Sequence, residues 1–354
     1  MQLETMRIQT GNPYDILIGR GLIHEAGAQI AQRIKTRRAL IVTDENVDVL
    51  YGAGVEASLK NAGIETDKLV LPAGEETKSL EKLGQVYSAL CDAQITRSDI
   101  LVALGGGVMG DLGGFAAATY LRGIRYVQIP TTLLAQVDSA VGGKTAIDLP
   151  EGKNLAGAFH QPALVLIDPD TLDTLPDHEF TGGMGEVIKY AFTFDADLCT
   201  ALADSCVRED MQPVIRRCLE YKKRVVENDE RDFGERMLLN FGHTLGHAVE
   251  VVQHYQGYSH GQAVAIGMHL ITRLSQAKLL TEQGTADALE NMLMRWKLPT
   301  TCDKSLWHDM QKALLKDKKN LDGSLNVIIL THIGHAEIKP VDLTFFEEVT
   351  QWLK

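Results

Sequence analysis

The chain has two patterns of hydrophobic positions. Short apolar runs, typical of buried parallel strands, occur at residues 39–43, 68–71, 99–104, 126–130 and 165–168. Residues 1–20 alternate enough to add one or two strands. From Asp177 onward a 3.6-residue period predicts helices over residues 186–194, 196–207, 211–228, 237–254, 263–278, 285–296 and 345–353, with a small hairpin at 326–338. We therefore expect an α/β domain over residues 1–176 and a mostly α-helical domain over residues 177–354.

A glycine-rich turn follows the strand at residues 99–104. Gly105–Asp111 leads into a helix predicted over residues 112–119. Glycines allow backbone N–H groups to approach a phosphate, and a helix N-terminus adds positive potential, so the turn predicts a dinucleotide site. A tight turn without a ligand is the alternative. The usual downstream acid is missing; Asp44, at the end of an earlier strand, is a candidate for binding a ribose or only for capping the next helix.

Two histidines four residues apart mark a second candidate site. His243 and His247 fall on one helical face, and each follows a glycine that leaves room for a close approach. His260 occupies a turn-like segment, and Glu186 follows glycines at an expected helix start. Two histidines and a glutamate from three segments predict an open divalent-metal site of the catalytic zinc type. Packing histidines and a capping glutamate are the alternative.

Composition narrows the possible partners. The 354 residues carry a net charge of −12, which argues against general nucleic-acid binding. We see no signal peptide and no run long enough to span a membrane. The five cysteines form no CxxC pair, and a cytoplasmic protein is expected.

Cationic side chains next to glycines or other candidate residues predict a small, highly anionic substrate. Most lysines lie on the surface, but Lys189 follows Glu186 by three residues on one predicted helix face. Arg236, Asn240 and His243 are spaced to point into one cavity if they share the predicted helix. Lys153 and Asn154 are expected in a glycine-flanked loop. The set of cations comprises Arg122, Lys144, Lys153, Lys189, Lys222, Arg236 and Lys318.

Long motifs carry a resemblance to a known family. They are PAGEETKS, LGGGVMGDLGGFAAATYLRG, IPTTLLAQVDSAVGGKTAID, GGMGEVIKYA and DERDFGERMLLNFGHTLGHAVE, with SHGQAVAIGM and DKKN after them. With these, essentially the whole chain resembles the 3-dehydroquinate synthases. The resemblance implies a shikimate-pathway enzyme that cyclises 3-deoxy-D-arabino-heptulosonate 7-phosphate, an anionic sugar phosphate. It also implies NAD, one divalent metal (zinc or cobalt) and a homodimer.

The resemblance assigns roles position by position. Glu186, His243 and His260 match metal ligands, whereas His247 matches a substrate contact. Positions matching NAD contacts are Asp44, Glu75, Lys78, Gly106, Gly107, Val108, Asp111, Thr131, Thr132, Lys144, Lys153, Thr171, Leu172 and Thr174. Positions matching the substrate pocket are Asp138, Lys144, Asn154, Lys189, Lys222, Arg236, Asn240, His247 and Lys318, with Arg122 donated across the dimer. Asp232 departs from the family's glutamate.

The implied reaction uses NAD catalytically. A substrate hydroxyl is oxidised, phosphate is eliminated, the ketone is reduced again, and an intramolecular aldol addition closes the ring. Two other readings stay open: another sugar-phosphate cyclase, of the 2-deoxy-scyllo-inosose or sedoheptulose 7-phosphate type, and a metal-dependent polyol dehydrogenase. Arg236, Asn240 and Lys222, as a carboxylate clamp, favour the carboxylated substrate.

Overall fold

The computed structural model describes residues 3–253, 257–320 and 325–354. The chain divides into two compact units. The first comprises Met1–Pro176 with Lys222–Arg231, and the second comprises Asp177–Tyr221 with Asp232–Lys354. The sequence-based division instead placed residues 222–231 with the rest of the second half.

The first unit is organised around a parallel sheet. Its strands have the order β1-β2-β9-β6-β5-β3-β4, and only β1 runs antiparallel to its neighbour. Every residue of β5 and of β9 is buried, as expected when helices cover both faces of a parallel sheet. The strands of this unit, including two outside the sheet, are β1 (Glu4–Ile8), β2 (Tyr14–Ile18), β3 (Arg38–Asp44), β4 (Glu65–Leu71), β5 (Ile100–Gly105), β6 (Arg125–Pro130), β7 (Lys144–Leu149), β8 (Gly152–Phe159) and β9 (Leu164–Ile167).

Helices pack on the two faces of this sheet. One apolar cluster joins the sheet to α1 and α3, and the other joins it to α4 and α5. The helices are α1 (Ala26–Arg33), α2 (Glu45–Val47), α3 (Ala53–Asn61), α4 (Leu80–Asp92) and α5 (Gly107–Thr119). Helix α5 begins at Gly107, five residues before the predicted start. Residues that the sequence analysis assigned to the glycine-rich turn, from Gly107 onward, are part of the helix.

An antiparallel hairpin of β7 and β8 was missed by the sequence analysis. Lys153 and Asn154 therefore lie on a strand, not in the loop that their flanking glycines predicted. Alternation of apolar and polar positions is weak here, since β8 has no buried residue. The hairpin provides a defined position for both side chains.

The second unit is mostly helical. Its helices are α6 (Asp177–Phe194), α7 (Ala196–Leu202), α8 (Gln212–Asn228, whose last turns belong to the first unit), α9 (His243–Val252), α10 (His260–Ala277), α11 (Thr285–Arg295) and α12 (Trp307–Asn320). Strands β10 (Leu325–His332) and β11 (His335–Val341) form the expected hairpin. Among the described residues, no helix has both the length and the apolar character needed to cross a bilayer.

Several predicted helix boundaries in this unit were wrong. Glu186 lies in the middle of α6, not at a helix start, and His260 is the first residue of α10, not part of a turn. The helix predicted over residues 237–254 is broken: a 3-10 turn, Glu235–Asn240, ends before Gly242, whose φ is 81°. The predicted terminal helix is replaced by two 3-10 turns, Leu343–Phe346 and Val349–Gln351.

Candidate functional site

Three side chains of the second unit converge on a candidate metal centre. Glu186 comes from α6, while His243 and His260 are the first residues of α9 and α10. One ligand atom from each lies within 4.8 Å of the others. Glu186 Oε1 is 3.8 Å from His243 Nε2 and 3.6 Å from His260 Nε2. A carboxylate and two imidazoles thus face one point.

The spacing fits a small divalent cation. Two ligand atoms about 2.1 Å from a zinc ion at the tetrahedral angle are separated by about 3.4 Å. The observed separations of 3.8 and 3.6 Å are slightly wider than this. A mixed nitrogen and oxygen donor set suits zinc or cobalt. Three protein ligands leave a coordination position for a substrate oxygen.

Outer hydrogen bonds orient both imidazoles. His243 Nδ1 is 3.1 Å from the Phe241 carbonyl oxygen, to which it donates when protonated at that nitrogen. His260 Nδ1 is 3.4 Å from each carboxylate oxygen of the buried Glu250. Such partners fix the tautomer that directs Nε2 toward a metal. Glu250 was not singled out in the sequence analysis, because a helical glutamate carries no signal of its own.

The electrostatic environment of the two histidines differs. Burial lowers the pKa of His243 to about 3. Burial also opposes the charged form of His260, but the carboxylates of Glu186 and Glu250 outweigh it and raise the pKa to about 10. Two carboxylates, those of Glu186 and Glu250, thus lie close to the His260 ring.

Glycines bring the three helices together. A Cβ added to Gly261 would lie 1.9 Å from the Gly182 carbonyl oxygen, and one added to Gly185 would lie 2.6 Å from the Gly261 carbonyl oxygen. A Cβ on Gly267 would lie 2.0 Å from the Gly242 carbonyl oxygen. Each distance is too short for any side chain. The space predicted beside Gly242 and Gly246 is thus filled by helix α10, and this packing positions the three candidate ligands.

Of the other candidate residues of this unit, Lys189 and His247 lie beside the cluster. The buried ammonium of Lys189 contacts the Glu186 carboxylate, as their spacing on one helix predicted. The exposed His247 ring has its centroid 5.4 Å from that of His243 and 6.1 Å from that of His260. Arg236 is buried and Asn240 is exposed, on the 3-10 turn before α9. The break at Gly242 overturns the expectation that these two share a helix with His243.

The candidate NAD contacts of the first unit lie where parallel strands end. Asp44 ends β3, Glu75 and Lys78 follow β4, the glycines follow β5, Thr131 and Thr132 follow β6, and Thr171, Leu172 and Thr174 follow β9. The carboxyl ends of parallel strands meet at one edge of the sheet, where such folds bind ligands. Gly106 caps α5, with Gly107, Val108 and Asp111 in its first turns. Backbone N–H groups of a 13-residue helix therefore point out of this edge.

Asp44 caps a helix, as the alternative reading predicted. Its Oδ1 accepts hydrogen bonds from the N–H groups of Asn46 at 3.0 Å and Val47 at 3.1 Å. Burial raises the pKa of Asp44, and these two bonds partly oppose the shift. Capping occupies Oδ1, so contact with a ribose through the other oxygen stays a separate prediction.

A buried ammonium joins several acids at the same edge. Lys78 Nζ is 2.7 Å from Asp111 Oδ2 and 3.6 Å from Glu75 Oε1. Burial would lower the pKa of Lys78, but the surrounding carboxylates, Asp111 foremost, outweigh burial and raise it. Lys153 Nζ approaches the same oxygen of Glu75, at 3.7 Å. Lys78 therefore remains cationic beside Asp111, in the first turns of α5.

The remaining substrate candidates are a contacting pair and several exposed groups of the first unit, and one lysine of the second unit. Lys222, buried on α8, contacts both the carboxylate and the main-chain oxygen of Asp138. Lys144 and Asn154 are exposed on the β7–β8 hairpin, and Arg122 is exposed on a short turn. Lys318 lies on α12, but its side chain is outside the described residues.

One organising residue in this unit was not singled out. Buried Gln136 donates through Nε2 to the main-chain oxygens of Pro130 and Asp168 and to Thr171 Oγ1, at 3.1, 3.0 and 2.8 Å. It thereby joins the loops after β6 and β9. In the sequence, Gln136 is distinguished only as a polar residue among apolar neighbours.

Both halves of the chain match family models. The model described as 3-dehydroquinate synthase N-terminal matches residues 68–182, and the model described as 3-dehydroquinate synthase C-terminal matches residues 183–320. The chain belongs to the 3-dehydroquinate synthase family. Among curated relatives of that name, the one from Clostridium botulinum is 46% identical over 338 residues, covering 94% of this chain and 97% of the relative.

Solved structures of related cyclases share the fold. The chain is similar to ValA, a 2-epi-5-epi-valiolone synthase from Streptomyces hygroscopicus with bound NAD+ and Zn2+, with a TM-score of 0.87 and 29% identity over 99% of this chain and 98% of that one. It is also similar to a 2-deoxy-scyllo-inosose synthase complexed with carbaglucose-6-phosphate, NAD+ and Co2+. That comparison gives a TM-score of 0.87 and 25% identity over 98% and 99% of the two chains. An α/β first unit with a helical second unit is thus confirmed as the family architecture.

Proposed function

We propose that this member of the 3-dehydroquinate synthase family converts 3-deoxy-D-arabino-heptulosonate 7-phosphate to 3-dehydroquinate and phosphate. The observation that carries the proposal is the convergence of Glu186, His243 and His260. It occurs in a chain 46% identical to a curated synthase over 94% of its length. Loss of any of these donors would instead have indicated a non-catalytic relative.

The residues fit NAD and one divalent cation, zinc or cobalt. When bound, the cation polarises a substrate hydroxyl and NAD supplies a reversible hydride acceptor. The donor set and spacing of Glu186, His243 and His260 support the cation. The N-terminus of α5 and the cationic Lys78 and Lys153 support binding of a pyrophosphate at the edge of the sheet. The NAD positions named from the resemblance are proposed as its contacts.

We assign the candidate cations to the charges of the substrate. Arg236 and Lys222 suit a carboxylate, with Asn240 as a hydrogen-bond partner. Lys144, Asn154, Arg122 and Lys318 are assigned to the phosphate group. Asp138 holds the Lys222 ammonium in place, and Lys189 places a fixed positive charge beside Glu186. His247, near both metal-directed imidazoles, is assigned to a substrate hydroxyl.

We also propose a homodimer in the cytoplasm. The turn that carries Arg122 is held in a rare backbone conformation, with φ values of 51° at Leu121, 68° at Arg122 and 119° at Gly123. Strain of this kind often accompanies function, which supports a contact to a second copy. All five cysteines are free, which suits a reducing compartment.

The deciding experiment follows phosphate release and absorbance of NADH together. The purified protein is given the heptulosonate phosphate, zinc or cobalt, and NAD far below the substrate concentration. We expect many phosphates per NAD without accumulation of NADH. NADH accumulating with a simple polyol, and no phosphate release, would overturn the proposal in favour of a dehydrogenase.

The solved relatives define a second candidate function. Their TM-scores of 0.87 favour a cyclase acting on another sugar phosphate if the first substrate is inert. Glucose 6-phosphate and sedoheptulose 7-phosphate, tested in the same assay, decide between these classes. Both substrates lack a carboxylate, so we expect no turnover of either.

A further inference from the structure

Asp148 occupies an irregular position in the β7–β8 hairpin. The strands pair regularly from Lys144 opposite Phe159 to Ile147 opposite Ala156, and the register then shifts before Leu149 opposite Gly152. Asp148 is the one β7 residue at this shift and stands opposite three residues of β8, Lys153–Leu155. A β-bulge takes residues of the longer strand out of the ladder and re-aims their polar groups, often next to a functional site.

The polar groups of Asp148 reach two different segments. Its backbone N–H donates to the main-chain oxygen of Lys78 at 2.8 Å. Its side-chain Oδ1 accepts a hydrogen bond from the backbone N–H of Asn154 at 2.8 Å. The same oxygen is 4.0 Å from Lys78 Nζ. One residue therefore contacts both the segment after β4 and the strand β8.

The contact with Asn154 supports an unusual backbone conformation. Asn154 has a φ of 58°, in the left-handed region, which asparagine enters more readily than most non-glycine residues. An external acceptor for its N–H stabilises this geometry. Loss of that acceptor would remove a contact that holds Asn154 in this geometry.

A second contact joins the same two segments. Lys153 Nζ is 3.7 Å from Glu75 Oε1, and that oxygen is 3.6 Å from Lys78 Nζ. Glu75, Lys78 and Lys153 are proposed NAD contacts, and Asn154 is a proposed substrate contact. Asp148 therefore lies at the junction of both groups while belonging to neither.

We propose that Asp148 is a positioning residue. Its carboxylate holds Asn154 in the left-handed conformation and its main chain holds the Lys78 segment, so that cofactor and substrate contacts keep one relative geometry. This inference deepens the proposed function and rests on it. A residue that served only the stability of the hairpin would lower the melting temperature without changing NAD affinity.

The test compares three variants. Asp148→Ala removes the acceptor, whereas Asp148→Asn keeps an oxygen for the Asn154 N–H. Glu151→Ala is the matched control, since Glu151 is an exposed acid in the turn of the same hairpin. For each protein we would measure the melting temperature, the NAD dissociation constant by calorimetry, kcat and KM for phosphate release, and hydrogen exchange of residues 150–156.

We expect Asp148→Ala to lower kcat, and to weaken NAD binding through Lys153, the neighbour of Asn154 on β8, each by about tenfold to hundredfold, as for a lost hydrogen bond to a charged group. Exchange at Asn154 should rise. Asp148→Asn should stay within about threefold of wild type, and the control should match wild type. Wild-type NAD affinity and kcat in Asp148→Ala, or equal losses in the Ala and Asn variants, would overturn the role.

The failures of the two proposals are distinguishable. If the wild-type protein bound no NAD, both would fall together. If wild type bound NAD and released phosphate and Asp148→Ala did so equally well, only the positioning role would fall. Should Asp148→Ala not fold, a large loss of NAD affinity in Asp148→Asn, which keeps the acceptor oxygen, would still contradict the role.

Discussion

The two candidate sites are constructed in different ways. In the α/β unit, the proposed NAD contacts stand on separate turns at strand ends, and side chains such as Lys78 and Gln136 join those turns. In the helical unit, three helices meet through glycine backbone, and the positions of the candidate metal ligands follow from that packing. In a site joined by side chains, each substitution of one side chain should reduce ligand affinity by a limited amount. In a site formed by backbone contact, even one added methyl group should disrupt the packing.

Removal of a metal ligand should produce the largest effect. His260→Ala eliminates one of three donors, and a bound metal contributes several kcal/mol of transition-state stabilisation, so we expect phosphate release to fall by about 10³-fold. Metal content after dialysis, measured by atomic emission, should fall with it. Treatment of wild type with a chelator should give the same loss, reversible by zinc or cobalt. Retained metal and activity would remove His260 from the site.

The next largest effect should come from one methyl group. In Gly261→Ala the new Cβ would lie 1.9 Å from the Gly182 carbonyl oxygen, so α6 and α10 must separate. We expect the free energy of unfolding to fall by about 3 kcal/mol. We also expect the protein to bind the metal less tightly. Gly84→Ala on α4 is the control, since nothing lies within 4 Å of its added Cβ. That change should be neutral or stabilise by up to about 1 kcal/mol. Equal melting temperatures would refute the backbone-contact description.

The fold was largely predictable because strand runs and helical periods are local patterns. Apolar runs such as residues 99–104 need only buried neighbours to form strands, and in the structure they form strands of the parallel sheet. The β7–β8 hairpin was missed since β8 has no buried residue to create a pattern. The break at Gly242 was missed because its left-handed φ of 81° depends on helix α10 packing against it.

The sites were predictable to different extents. Strand-end positions such as Asp44 and Thr131 can be read from sequence, because parallel strands align their carboxyl ends. The pairing of Glu186 with histidines from two other helices cannot be read from spacing, which favoured His247. Glu250 and Asp148 act through contacts between segments that are far apart in the sequence. No local sequence pattern indicates such contacts.

A change beside the metal ligands should have an intermediate effect. Glu250→Gln keeps the size of the side chain but removes the charge opposite His260 Nδ1. Loss of such an outer partner lowers metal affinity by about tenfold to hundredfold. We would measure the zinc dissociation constant by competition with a chromophoric chelator. Glu282→Gln, an exposed acid of the same unit, serves as control and should match wild type. An unchanged constant in Glu250→Gln would show that the charge of Glu250 is not needed for metal binding.

The smallest effect should separate the two functions considered for Asp44. Asparagine caps helices about as well as aspartate, so Asp44→Asn should leave the melting temperature unchanged, whereas Asp44→Ala should lose about 1 kcal/mol of stability. A ribose contact needs the carboxylate as an acceptor, and its loss should weaken NAD binding by about tenfold. Calorimetric titration of Asp44→Asn with NAD is therefore decisive. Weakened binding at constant stability assigns Asp44 to the cofactor. Wild-type affinity would leave it a helix cap only, and the α/β site would then depend on fewer side chains than its strand-end positions indicate.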